Sequence, residues 1–437
     1  MSQTPSETPS SEGLVRAIGR WSLVALTVNS ILGSGIFGLP AQVADKLGSL
    51  SPWAVLLAGA AVAVIVACYA EVASQFEQTG GTYIYCRAAF GRLTGLEVGW
   101  MFMLSRLTAC AANANLLVIY LAEFWPQTTR PLARFAVITL LLGVLLLVNY
   151  RGVRTGTLVS NLFVVAKLAP LGIICLAGGY YLVAHGMMGG GPSPAASMGK
   201  WRDVILLLFF AYGGYEAAMN PMGEARNPKR DAPFALFAAL AIITVVYVLI
   251  QWAVVGLLPP GTHSDRPLAE VARVLFGHGG AALVAAGALV SVYGYLSANF
   301  LTTPRATFAF AEQGDFPRWF AAVHPNFKTP YTSIVVFALV CWVLALAGSF
   351  TWNVTLSAVA RLFYYGAVCA AVPVLRRKQP DAAWFRLPAG SAFAFLGVLI
   401  CLVLLSGVDF SKTLILLATI AVALMNWFAV RHQTKTS

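Results

Sequence analysis

Twelve apolar runs, each near the length that a lipid bilayer demands, follow one another through the 437 residues. A helix rising about 1.5 Å per residue needs about 20 mostly apolar residues to cross a hydrocarbon core about 30 Å thick. The runs fall at about 17–44, 51–77, 94–123, 131–149, 156–184, 201–224, 233–257, 279–309, 331–349, 352–375, 391–408 and 412–430. The connectors between them are short, and none has room for a soluble domain. With 59% hydrophobic and 11% charged residues, the chain has too little polar surface to be a water-soluble globule. The expected fold class is an all-α membrane protein with twelve transmembrane helices.

Orientation follows from the basic residues, because cytoplasmic loops retain Lys and Arg. With both termini inside, eighteen of the 29 Lys and Arg fall on the inner side and eight on the outer, which leaves Arg106, Lys167 and Arg361 within spans. The net charge of +12 is therefore a matter of topology and anionic lipid, and no nucleic-acid-binding module is present to give it another meaning. The expected location is the inner or plasma membrane. The opening MSQTPSETPSSEGL, residues 1–14, is polar and rich in Pro and Ser, and reads as a short disordered cytoplasmic tail. The seven cysteines show no CxxC spacing and read as small packing residues, and no histidine cluster suggests a metal.

The first run contains NSILGSGIFGLP, with Gly33, Gly35 and Gly38 ahead of Pro40. Gly33 and Gly35 lie about halfway between the flanking charges Arg20 and Asp45, so the weak point is at the middle of the bilayer. The sixth run repeats the arrangement in FFAYGGYEAAMNPMGE, where Gly213 and Gly214 stand ten residues from Asp203 and ten from Glu224. Irregular backbone at this depth is tolerated only where it is buried in protein or lines a wet cavity. The sixth run lies five spans on from the first, an odd number, so it crosses in the opposite direction. That pattern predicts an inverted repeat and a secondary transporter with its substrate site at the midplane. Close helix packing through small residues is the other reading of the same glycines.

Direction then sets the chemistry. The outward-running first helix presents the N-terminal amides of the half beginning at Ile36 to the membrane centre, a place for an anion such as a carboxylate. The inward-running sixth helix ends its outer half near Ala211 and offers unpaired carbonyls from Phe210, Ala211 and Gly213, a place for an ammonium. The two together suit an α-amino acid. A sugar or an inorganic ion suits them much less well.

Several stretches resemble the amino acid, polyamine and organocation transporter superfamily, in particular its bacterial amino acid permeases. They are GSGIFGLP, YAEVASQFEQTGGTYIYCRAAFG, VVAKLAPL, FFAYGGYE followed by GEARNPKRDAP, and PRATFAFAEQGDFP. The resemblance implies a LeuT-like core of ten helices in a 5+5 inverted repeat, about 15–184 and 201–375, with helices one and six discontinuous. It also implies two peripheral helices and a tail over 391–437. It places a carboxylate near Ile31, Ser34 and Gly35, and an amino group at the carbonyls of Phe210, Ala211 and Gly213. Phe210 falls where the family has an aromatic gate.

The buried basic residues add detail. Each costs roughly 2.5–3.5 kcal/mol at mid-bilayer on insertion scales, so each is expected to face a partner or a cavity. Lys167 reads as a substitute for a bound sodium ion, tying the broken first helix to helices five and eight through carbonyls around Gly33, with Ser297 or Asn299 as neighbours. Desolvation also weakens a buried lysine's hold on its proton. A proton-coupling Lys167 and a permanently charged one in an uncoupled exchanger are both allowed. Arg106 and Arg361 lie on helices that border the pocket in the family. Either one reads a carboxylate or other acceptor on the substrate side chain, or one of them pairs with Glu216, the acidic residue at comparable depth.

The reading is a permease or exchanger for amino acids. It makes no covalent chemistry, needs no cofactor, and has no GxxxxGK[ST] stretch for ATP. An amine or polyamine carrier is the alternative within transport, weakened by the shortage of deep carboxylates. A channel or membrane-embedded enzyme is the alternative outside it, and no deep cluster of histidines or carboxylates supports an enzyme.

Overall fold

The computed structural model describes residues 18–77, 80–152, 157–186, 197–220, 222–259 and 264–431, with 157–166 described by their backbone alone. The expected tail over residues 1–14 lies outside the described residues. Among the described residues every extended element is an α-helix: α1 (Arg20–Ile31), α2 (Ser34–Gly38), α3 (Pro40–Leu47), α4 (Ser51–Ala73), α5 (Gly81–Phe90), α6 (Arg92–Leu121), α7 (Pro131–Arg151), α8 (Thr157–His185), α9 (Met198–Tyr212), α10 (Tyr215–Ala218), α11 (Pro228–Leu257), α12 (Pro267–Glu312), α13 (Tyr331–Ala347), α14 (Phe350–Lys378), α15 (Gly390–Leu405) and α16 (Phe410–Val430).

Each apolar run of the sequence lies on one of these helices or on a broken set of them. Among the described residues eight helices are long and apolar enough to cross a membrane, and α13 and α15 are shorter apolar helices. The first and sixth runs are the interrupted ones. α1 stops at Ile31 and α2 begins at Ser34, while α9 stops at Tyr212 and α10 begins at Tyr215. Two helical pieces were not visible as runs. These are α5, and the first ten residues of α12, which a kink at Gly277 (φ 69°) sets apart from the rest of that helix.

Burial separates a core from a rim. In α6, 83% of the apolar window is buried inside the protein, against 17% in α7 and α16. Helices hydrophobic on all sides belong either in a core or against lipid, and α7 and α16 turn leucines such as Leu140, Leu147, Leu414 and Leu417 outward. The core is built where α6 packs on α14 and α12, and α4 on α11 and α9, with α1 held between α11 and α10. α15 rests on α14 and α4, and α16 on α6.

The face of the molecule that carries both Arg20 and the end of α16 is fastened by ion pairs. Asp315, after α12, is fully buried and accepts from Arg87 of α5 at 2.9 Å, from Arg92 at the start of α6, and from the Tyr83 hydroxyl. Asn426 of α16 donates to the Asp315 carbonyl at 2.7 Å. Burial, with Asp315 alongside, holds the Tyr83 hydroxyl well above its ordinary pKa, so it remains a donor at any working pH. On the same face Arg376 grips Glu71 with two hydrogen bonds of 2.6 and 2.7 Å, and Arg20 meets Asp231 at 3.1 Å. Asp315→Asn leaves two arginines without their carboxylate. Because Arg87 and Arg92 are 38% and 18% exposed, the loss is expected at or just below the lower end of the about 3–5 kcal/mol range for breaking a buried pair. A melting curve in detergent identical to the wild type would contradict this.

Candidate substrate site

The two breaks meet. A Cβ placed on Gly35, in the first turn of α2, would stand 2.7 Å from Cα of Ala211 at the end of α9. A Cβ placed on Gly214 would land on the Ser30 carbonyl oxygen at the end of α1. Glycine is required at 214 on a second ground, since its φ is +123°, outside the range of L side chains. Gly33 has no such backbone demand, with φ −133°. There the ring of Tyr295 stands 3.4 Å from where a Cβ would be, so glycine makes room for an aromatic neighbour.

A broken helix leaves carbonyls on one side of the gap and amides on the other without intrahelical partners. On the first break the carbonyls are taken by Lys167, whose Nζ donates to Leu32 at 3.0 Å and to Asn29 at 3.3 Å. These are the carbonyls around Gly33 that the sequence pointed to. Ser297 does not join them. It is half-buried on α12, and no hydrogen bond links it to Lys167 among the described residues. Asn299, the other expected neighbour of Lys167, instead accepts from Arg106 at 3.4 Å and donates to the Tyr295 carbonyl at 2.9 Å.

On the amide side of this break Ser34 is 1% exposed, and its Oγ has no hydrogen-bond partner among the described residues. It begins a run of helix that continues through Leu39 (φ −95°, ψ −26°) into α3, so the dipole behind it is longer than α2 alone. Ile31 is buried at the other lip of the gap, within reach of Gly214. Farther along, Tyr120 donates to the Phe37 carbonyl at 2.8 Å, and Gln251 to that of Pro40 at 3.0 Å.

On the sixth helix the freed carbonyls already have donors. Tyr247 of α11 donates to the Ala211 carbonyl at 2.9 Å. Arg361 donates through Nη1 to the Phe210 carbonyl at 3.4 Å, and a Cβ on Gly213 would collide with its guanidinium. Its carbon Cζ lies 5.4 Å from the centre of the Phe210 ring, a cation–π contact worth about 0.5–2 kcal/mol. Its Nε donates to Ser105 at 3.1 Å and stands 4.0 Å from Glu216. Arg361 therefore engages the break and its carboxylate together.

Glu216 is fully buried and takes three hydrogen bonds. It accepts from the Gly214 amide at 2.9 Å, from Tyr364 at 3.1 Å and from Tyr365 at 3.0 Å. Arg106 shares with Arg361 its depth and a phenylalanine ring beneath the guanidinium, but is far less engaged by hydrogen bonds. It is 5% exposed, makes a long bond to Asn299, stands beside the Tyr295 hydroxyl, lies 5.1 Å from the Phe102 ring, and among the described residues keeps its Nη2 buried without a hydrogen-bond partner. Tyr247, Tyr295, Tyr364, Tyr365 and Ser105 are the site residues that sequence reasoning missed. A tyrosine inside an apolar run has no periodic signature that tells a hydrogen-bonding partner from a packing ring.

Comparison with known proteins agrees with this architecture. Residues 18–435 match the family described as Amino acid permease. The chain is 31% identical over 385 residues to an uncharacterized transporter of Mycobacterium tuberculosis, covering 85% of this chain and 82% of that one. It is 29% identical over 426 residues to the methylthioribose transporter of Bacillus subtilis, covering 92% and 90%. It is 28% identical over 335 residues to the serine/threonine exchanger SteT of the same organism, covering 74% of each. These relatives are transporters, not enzymes. An interrupted helix pair, several apolar spans and a family match along nearly the whole length lead to one assignment: the chain is an integral membrane protein that belongs to the amino acid permease family of the amino acid, polyamine and organocation superfamily.

Proposed function

We propose that this chain is a secondary transporter that carries amino acids across the cell membrane by alternating access around a site at the bilayer midplane. In this reading twelve helices span the membrane. The first ten form a 5+5 inverted repeat, about 15–184 and 201–375, and residues 391–437 add two peripheral helices and a tail. Both termini are cytoplasmic, so the face closed by Asp315, Glu71 and Asp231 is the inner one.

The observation that carries the reading is the contact between the breaks, Gly35 against Ala211 and Gly214 against Ser30. It brings the amide end of one half-helix beside the carbonyl end of another. A substrate carboxylate binds at Ile31, Ser34 and Gly35, where the buried Ser34 hydroxyl is unpartnered and the dipole favours negative charge. The ammonium binds at the carbonyls of Phe210, Ala211 and Gly213. Arg361 holds one of those carbonyls and Tyr247 another, so loading requires the Arg361 Nη1 to let go while its Nε stays with Ser105. Phe210, pinned by the same guanidinium, is the gate. Rocking of the broken helices about this point exposes it to each side in turn. Lys167 fills the role of a coupling cation and is the residue through which a proton would be coupled.

Purified protein in proteoliposomes should take up, or exchange against internal substrate, at least one of the common amino acids. Gly35→Ala, which pushes α2 away from α9, should reduce that uptake at least tenfold. Failure of every amino acid to be transported, or to raise the melting temperature in detergent, would refute the reading.

A further inference from the structure

Resting on that reading, we propose that Arg106 binds a second carboxylate on the cargo, so that the transported molecule is an acidic amino acid. Among the described residues the core around the breaks holds three cations, Arg106, Lys167 and Arg361, and one carboxylate, Glu216. Glu216 is claimed by Arg361, two tyrosines and a backbone amide. Lys167 is satisfied by two carbonyls. Of the three, Arg106 alone keeps a charged nitrogen, Nη2, buried without a hydrogen-bond partner among the described residues, although its charge lies within the field of Glu216 and beside the Tyr295 hydroxyl. Glu216 attracts Arg106 across space, but no hydrogen bond joins them among the described residues, and the other acidic side chains do not serve it. Glu97 is on the same helix but nine residues away, about 13 Å along the axis, and Glu71 is engaged by Arg376.

A guanidinium left this way in low dielectric is costly, and intramembrane charges kept at such cost mark substrate pathways. Its planar fork suits a carboxylate through two parallel hydrogen bonds. Its position suits the cargo as well. The preceding residue, Ser105, holds Arg361 at the sixth-helix break. Asn299, which Arg106 touches, is one turn from Tyr295, whose ring lies against Gly33 at the first-helix break. Arg106 is thus adjacent to both breaks without being part of either. The α-carboxylate goes to the Ser34 end of α2, and the side-chain carboxylate goes to Arg106.

The test compares acids with their amides, which share size and backbone. Wild-type protein in proteoliposomes should be half-inhibited by glutamate or aspartate at concentrations at least tenfold below those for glutamine or asparagine. Arg106→Gln should shift the ratio of glutamate to glutamine uptake at least tenfold toward the amide, and Arg106→Lys, which keeps the charge without the fork, should fall between. A purely structural arginine would lower uptake of acid and amide alike and leave the ratio unmoved. The comparison within the wild type holds even if a variant fails to fold. If neutral amino acids compete as well as acidic ones, or the ratio is unchanged in a folded Arg106→Gln protein, the assignment of Arg106 is wrong and the permease reading stands. If wild-type protein carries no amino acid at all, the permease reading itself falls.

Discussion

Gly214→Ala abolishes uptake and lowers the melting temperature in detergent, the largest effect expected of any single methyl group in this chain. Two costs add. The residue stands at φ +123°, where an L side chain is strained by about 1–2 kcal/mol. The new Cβ also falls on the Ser30 carbonyl oxygen, an overpacking that typically costs about 1–3 kcal/mol. The clash is with backbone, which has no rotamer to yield, so relief requires α1 and the α9–α10 junction to separate. That separation pulls apart the amide and carbonyl ends on which binding depends. Gly143→Ala in α7 is the control, because nothing lies within 4 Å of its Cβ and its backbone is helical. Transport by Gly214→Ala at the wild-type rate would show that the breaks do not have to touch.

Lys167→Met is expected to reduce transport at least tenfold while leaving a protein that purifies as a folded species. Methionine keeps much of the volume and removes the donor, so the carbonyls of Asn29 and Leu32 lose the partner that the break made necessary. Each buried carbonyl left this way costs about 1–3 kcal/mol, and a tenfold loss corresponds to about 1.4 kcal/mol. The end of α1 is the lip of the proposed carboxylate site, so the cost is expected to fall on binding first. Coupling is read from the same position. Lys167→Ala, assayed with and without a pH gradient, should lose any component of uptake that the gradient drives. Undiminished gradient-driven uptake would exclude this lysine as the proton carrier.

The breaks themselves were legible in the amino acids. GSG and GG at equal depth in two apolar runs cannot continue as ordinary spans without a reason, and helices α1 and α9 stop at those residues. Lys167 was legible for a related reason, since a cation at mid-bilayer must find carbonyls and a broken helix supplies them. The two arginines were not separable. Both lie deep in apolar helices, and nothing in their neighbours along the chain says which one faces Glu216. That choice depends on the rotation of α6 against α14, which brings Ser105 to Arg361 and turns Arg106 toward α12 instead. Asn299 shows the same limit: a register uncertain by one turn decides whether it meets Lys167 or Arg106.

Composition and spacing alone determined that this chain lives in a bilayer, where its helices are interrupted, and which charges must find partners there. Those conclusions follow from the cost of exposing backbone and charge to lipid, which is the same wherever the neighbours lie. Only the tertiary structure decided the pairing: Arg361 to Glu216 and the Phe210 carbonyl, Tyr247 to Ala211, Lys167 to Asn29 and Leu32, and Arg106 to Asn299, in the field of Glu216 but without a hydrogen bond to it. Hydrogen bonds form at about 3 Å between groups as many as 316 residues apart, and how two packed helices are rotated against each other is set by every side chain in their interface at once.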